Sequence, residues 1–144
     1  MTRSARLLVV EDNPLSRRLA REILTHRGHQ VFEAVSVTTA VERLSCDPEL
    51  VIMDIEIEGG TGIDVLKVMR TRKELDHVPV IAVTASAMAG ERERLLEIGF
   101  DAYMSKPIDT RNFGDAVEAL LQSGRRKPTT AEPAGGQDTR EAAS

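Results

Sequence analysis

Four apolar stretches of this 144-residue chain each end in residues able to do chemistry. Glu11 and Asp12 follow Leu7–Val10, Asp54 follows Leu50–Met53, Thr84 follows Val80–Val83, and Ser105, Lys106 and Pro107 follow Ala102–Met104. Carboxylates gathered in one pocket repel by about 4 kcal/mol per pair at 4 Å in an effective dielectric near 20, so Glu11, Asp12 and Asp54 together need a cation. Oxygen ligands without His or Cys suit Mg²⁺ rather than zinc or copper, and Mg²⁺ keeps waters and leaves room for a phosphoryl oxygen. A lysine and a hydroxyl, Lys106 and Thr84, are the further partners that a phosphoryl group on one carboxylate would take. Helix capping is the ordinary alternative for any one acid, as for Asp12 and Asn13 before Pro14. It does not account for all these polar residues at strand ends together.

The elements that must position them alternate between two periods. Short runs rich in β-branched residues fall at Leu7–Val10, Val31–Phe32, Leu50–Met53, Val80–Val83 and Ala102–Met104. Between them lie helical stretches. The first opens at Asn13-Pro14, turns Leu15, Leu19, Ile23 and Leu24 inward, and stops at Gly28. The others are expected at Thr38 to Ser45, from Gly62 through Met69, at Ala89 to Ile98, and at Arg111 to Leu121. Strict strand-helix alternation means an α/β fold, a five-stranded parallel sheet covered on both faces. The first, third and fourth strands are apolar throughout and belong in the centre, while the alternating second strand and the short fifth belong at the edges. Right-handed crossovers then give the order 2-1-3-4-5, with a ligand site at the carboxyl ends of strands one and three.

With 19 Lys+Arg against 23 Asp+Glu and a net charge of −4, the chain is not held to nucleic acid by bulk charge. No apolar run is long enough for a membrane span, and one cysteine, Cys46, makes no internal disulfide. A cytoplasmic protein is expected, with one domain over residues 1–122. Residues 123–144 contain no Val, Ile, Leu, Met or aromatic residue and read as a disordered tail, the basic triplet Arg125-Arg126-Lys127 included. His26 and His29, on either side of a helix end, read as solvated surface.

Glu11-Asp12, Asp54, Gly62, Thr84-Ala85 and Lys106-Pro107, in this order and spacing, resemble the receiver domain of two-component response regulators, the CheY-like group with a flavodoxin-like three-layer (βα)5 fold. The resemblance covers residues 6 to about 121. The runs Val83 to Met88 and Asp101 to Ile108 look most like DivK-type single-domain regulators and the receivers of hybrid histidine kinases. It implies that Asp54 accepts a phosphoryl group from a sensor histidine kinase or a histidine phosphotransfer protein. Asp12, Glu11 and the backbone carbonyl of Glu56 would hold Mg²⁺ beside Asp54. Lys106 would pair with Asp54, Thr84 would donate to the phosphoryl group, and Tyr103 matches an aromatic that swings with the threonine. Lys106-Pro107 resembles the family's cis peptide. Such a protein is a monomer or weak dimer and not an enzyme beyond its own phosphorylation and dephosphorylation.

The chain departs from the common pattern after Asp54. Ile57-Glu58-Gly59-Gly60 replaces a Met-Pro pair and its following turn, which should loosen the loop, and Glu11 replaces the commoner Asp. A haloacid-dehalogenase-like phosphatase is a remote alternative. Its nucleophile follows the first strand, with a second Asp two residues on, whereas Asp54 follows the third and is succeeded by Glu56. Two roles stay open: a stand-alone switch that binds a downstream target protein when phosphorylated, or a relay intermediate or phosphate sink.

Overall fold

The computed structural model describes residues 4–86 and 88–125. Five strands, β1 (Arg6–Val10), β2 (Gln30–Ala34), β3 (Leu50–Asp54), β4 (Val80–Thr84) and β5 (Ala102–Ser105), form one parallel sheet in the order 2-1-3-4-5. Every position of β3 and β4 is buried, whereas β2 and β5 are half-exposed along most of their length. The apolar run marks a central strand because both of its faces are covered.

The helices are α1 (Pro14–His26), α2 (Val37–Arg43), α3 (Gly62–Thr71), α4 (Glu91–Ile98) and α5 (Phe113–Ser123). Alternate strand residues point to opposite faces. Leu8, Val10, Val51, Met53, Val80 and Ala82 therefore join the core made with α2, α3 and α4. Leu7, Val9, Leu50, Ile52, Ile81 and Val83 join the second core, made with α1 and α5.

Several boundaries and faces differ from the sequence reading. In α1 the inward residues are Ala20, Ile23 and Leu24, while Leu15 is 78% exposed and Leu19 37% exposed. The buried stripe of α1 runs through Ala20 and Leu24, with Ile23 packed beside it, and Leu15 and Leu19 lie outside it. Helix α2 gives way to a tighter turn, Leu44–Cys46, closed by Asp47 at φ 60°. Helix α4 starts at Glu91 because Gly90, at φ 84°, stands where a cap would be. Helix α5 starts at Phe113, after a turn in which the Asp109 carboxylate accepts the Arg111 N–H and the Asn112 side-chain N–H.

His29 is not solvated surface. It is 4% exposed, its Nδ1 accepts the Ala5 N–H at 3.1 Å, and its Nε2 lies 3.1 Å from Glu118. It joins the β2 entrance to α5, a pairing of distant segments that local pattern does not carry.

The described residues continue past residue 122, to Arg125. At the end of the sheet away from the acids, Arg125 pairs with Asp101 at 3.3 Å and with Asp76 at 3.6 Å, and donates to the Asp76 carbonyl at 3.0 Å. Arg125 is thus docked, not part of a solvated triplet. The rest of the expected disordered tail, from Arg126 onward, lies outside the described residues.

Candidate functional site

The carboxyl ends of β1, β3, β4 and β5 converge on one pocket. Hydrophobic burial of β1 and β3 carries the acids at their carboxyl ends under cover, so that Glu11 is 4% and Asp54 3% exposed, while Asp12 faces solvent. One carboxylate oxygen from each of Glu11, Asp12 and Asp54 lies within 4.8 Å of the others. These acids are the expected metal set. The side chain of Glu56, expected to contribute only through its carbonyl, is exposed, and its N–H donates to Asp54 Oδ1 at 3.3 Å.

Lys106 bridges the two buried acids, with Nζ 2.8 Å from Glu11 Oε1 and 2.9 Å from Asp54 Oδ2. It is aimed there by its place after β5: its own N–H donates to the Thr84 carbonyl at 2.9 Å, and the Lys106-Pro107 peptide is cis. Burial pulls its pKa down, but hydrogen bonds to Glu11 and Asp54, with their charges, outweigh this and raise it above the usual lysine value. Glu11 is raised as well, first by burial and then by the neighbouring Asp54, against the lowering effect of Lys106 and of the Asn13 N–H. The second Glu11 oxygen accepts that N–H at 3.0 Å.

Gly62 keeps the loop after β3 close. A side chain there would meet the Asp54 carbonyl oxygen at 2.5 Å and Met53 at 2.7 Å, and the Gly62 N–H donates to the Ile55 carbonyl at 2.8 Å. Between these residues lies a short antiparallel hairpin, Glu56–Ile57 against Gly60–Thr61, which the sequence reading missed. The paired glycines, Gly59 at φ 88° and Gly60 at φ 150°, were its signal.

Thr84 is buried at the end of β4, and its Oγ1 accepts the Ser86 N–H at 3.1 Å. Tyr103 is half-buried on β5, packs against the α2–α4 side of the core, and donates its hydroxyl to the Ser86 carbonyl at 3.3 Å. Ser86 thus stands between the two expected switch residues, a link that the sequence reading did not single out.

Acids at the ends of β1 and β3, a hydroxyl at the end of β4 and a lysine after β5 match a known pattern, that of the response regulator receiver domain, over residues 7–118. The chain belongs to the response regulator receiver family. This receiver is 37% identical over 125 residues to the polar-differentiation response regulator DivK of Brucella ovis, covering 84% of the chain and 98% of that protein. Its fold is that of the chemotaxis response regulator CheY4 of Vibrio cholerae, with a TM-score of 0.76 at 18% identity over 82% of the receiver and 99% of the other chain. The receiver domain of sensor histidine kinase PA1611 from Pseudomonas aeruginosa has a TM-score of 0.75 at 25% identity, covering 83% of this chain and 99% of its own, and was solved with magnesium in its active-site cleft. No helix among the described residues is long and apolar enough to cross a membrane.

Proposed function

We propose that the chain is a stand-alone cytoplasmic receiver, phosphorylated on Asp54 by a histidine kinase or phosphotransfer protein, that signals by binding a target protein in its phosphorylated state. The observation that carries this reading is Lys106 held at hydrogen-bond distance from both Glu11 and Asp54, with Asp12 beside them. DivK of Brucella ovis, whose length the alignment nearly spans, supports the single-domain part of the reading.

The donor set fits Mg²⁺: three carboxylates, two of them buried, and no nitrogen or sulfur ligand in the cluster. Glu11, Asp12, Asp54 and the Glu56 carbonyl would hold the ion, as the magnesium in the PA1611 receiver suggests by likeness. When bound, it supplies positive charge against the acids and the incoming phosphoryl oxygens.

An Asp54 carboxylate oxygen attacks the phosphorus of an N-phosphorylated imidazole. The new P–O bond forms as the P–N bond breaks, and its electron pair returns to the imidazole nitrogen. Lys106 offsets the charge developing on the phosphoryl oxygens, and Thr84 Oγ1 donates to one of them once it turns from Ser86. The receiver contributes nothing further to catalysis than its own phosphorylation and dephosphorylation.

Mixing the chain with a histidine-phosphorylated phosphotransfer protein tests the reading. Label is expected to pass to the chain in Mg²⁺ and not after chelation. Retention of all the label on the donor in Mg²⁺ would contradict it.

A further inference from the structure

The hairpin that carries Glu56 is held at both ends. Thr61 caps α3 and its N–H donates to Asp64 at 2.9 Å, which fixes the base. The tip is held by α2: the Val37 N–H donates to the Glu58 carbonyl at 2.9 Å, and Ser36 and Glu58 form an isolated parallel bridge. Val37 is the first residue of α2, so its N–H has no partner inside the helix and is free to reach across. Ser36 and Thr39 fix its direction through a reciprocal cap, with the Thr39 N–H on Ser36 Oγ at 3.1 Å and the Ser36 N–H on Thr39 Oγ1 at 3.0 Å. Gly60, at φ 150°, lets the hairpin lie against both neighbours, since a side chain there would meet Asp64 Oδ2 at 2.5 Å and Val37 Cγ2 at 3.3 Å.

Two adjacent glycines would otherwise leave this loop loose. We propose that the backbone N–H of Val37 is a positioning group for divalent-metal binding: by holding Glu58 it fixes the Glu56 backbone at the edge of the acidic pocket. The inference rests on the Mg²⁺ site proposed above. Helix α2, which touches no reacting atom, thereby sets the metal affinity.

The test uses Val37→Pro in the full chain. Proline is accepted at the first position of a helix, and Ser36, at φ −152° and ψ 171°, already has the extended backbone required before it. The substitution removes the N–H and leaves α2 its cap. Titration with MgCl2, followed by the amide resonances of Glu11, Asp12 and Glu56, is expected to show affinity about fivefold weaker, the weight of one neutral hydrogen bond. Val37→Ala, which keeps the N–H, should stay within about twofold of the parent. If Val37→Pro does not fold, the parent decides: by linkage Mg²⁺ should slow hydrogen exchange of the Val37 amide, and exchange unchanged by Mg²⁺ overturns the inference. Parent-like affinity in Val37→Pro, or an equal loss in Val37→Ala, overturns the inference. A parent chain that shows no Mg²⁺ response removes the metal site itself, and this inference with it.

Discussion

Tyr103 donates its hydroxyl to the backbone carbonyl of Ser86, 3.3 Å away. Because the Ser86 N–H lies on Thr84 Oγ1 at 3.1 Å, movement of the Thr84 hydroxyl toward a phosphoryl group on Asp54 must release one side of Ser86. The loop and the Tyr103 ring then readjust together, and a ligand shifts that balance only by its differential affinity for the two states. Beryllofluoride with Mg²⁺, standing in for the phosphoryl group, is expected to move resonances from Met88 to Leu96 and from Tyr103 to Ile108. Thr84→Ala should suppress these shifts while phosphorylation persists at a lower rate. Shifts confined to the neighbours of Asp54 would favour the phosphate-carrier role instead.

Mg²⁺ binding should be weak and should depend on Asp12, the exposed member of the acidic set. Asp12→Ala is expected to abolish the amide shifts seen on Mg²⁺ titration. Affinity should also fall on acidification at a higher pH than an ordinary glutamate would set, because burial first, and then Asp54, raise Glu11 above 4.5 and the proton competes with the ion. Unchanged affinity through that range, measured by calorimetry, would count against Glu11 as a ligand.

Glu11 and Lys106 give the metal-free protein pH slopes of the same sign in two separate ranges. Folded Glu11 binds its proton more tightly than the unfolded chain does, so stability falls as pH rises from about its ordinary 4.5 through the raised folded value. Lys106, also raised, contributes stability that is fully present below 10.5 and is lost as pH climbs through its folded value. Urea melts of Glu11→Gln without metal should lack the acid-side decline, with Lys106 still protonated throughout that range.

Truncation after Arg125 should change stability by less than about 0.5 kcal/mol, since the residues beyond it include no large apolar side chain. Truncation after Gln122 should cost more, about 1 kcal/mol, because it removes the last residue of α5 and the Arg125 hydrogen bonds to Asp76 and Asp101. Equal urea midpoints for the two truncations would mean that this docking contributes nothing.

The sheet was legible because the apolar runs of its central strands, Leu50–Met53 and Val80–Val83, have no other stable place than between two layers of helices. The site was legible for the same reason: a polar residue directly after such a strand must emerge at its carboxyl end. What escaped the sequence depends on partners far away in the chain. His29 looks like a polar residue at a helix end until Ala5 and Glu118 close around it. Arg125 looks solvated until the fold brings Asp76 and Asp101 beneath it. Leu15 and Leu19 keep helical periodicity, yet they lie outside the stripe of Ala20, Ile23 and Leu24 that packs into the core, and stay exposed.

The position of the phosphoryl group tests Asp54 as the acceptor most directly. The chain is incubated with acetyl phosphate and Mg²⁺, and the modified residue is mapped by mass spectrometry beside Asp54→Asn. Modification is expected at Asp54 alone, none in Asp54→Asn, and slower modification in a Lys106→Ala chain. Equal labelling of Asp54→Asn, or label at Glu11 or Asp12 in the parent, would contradict it.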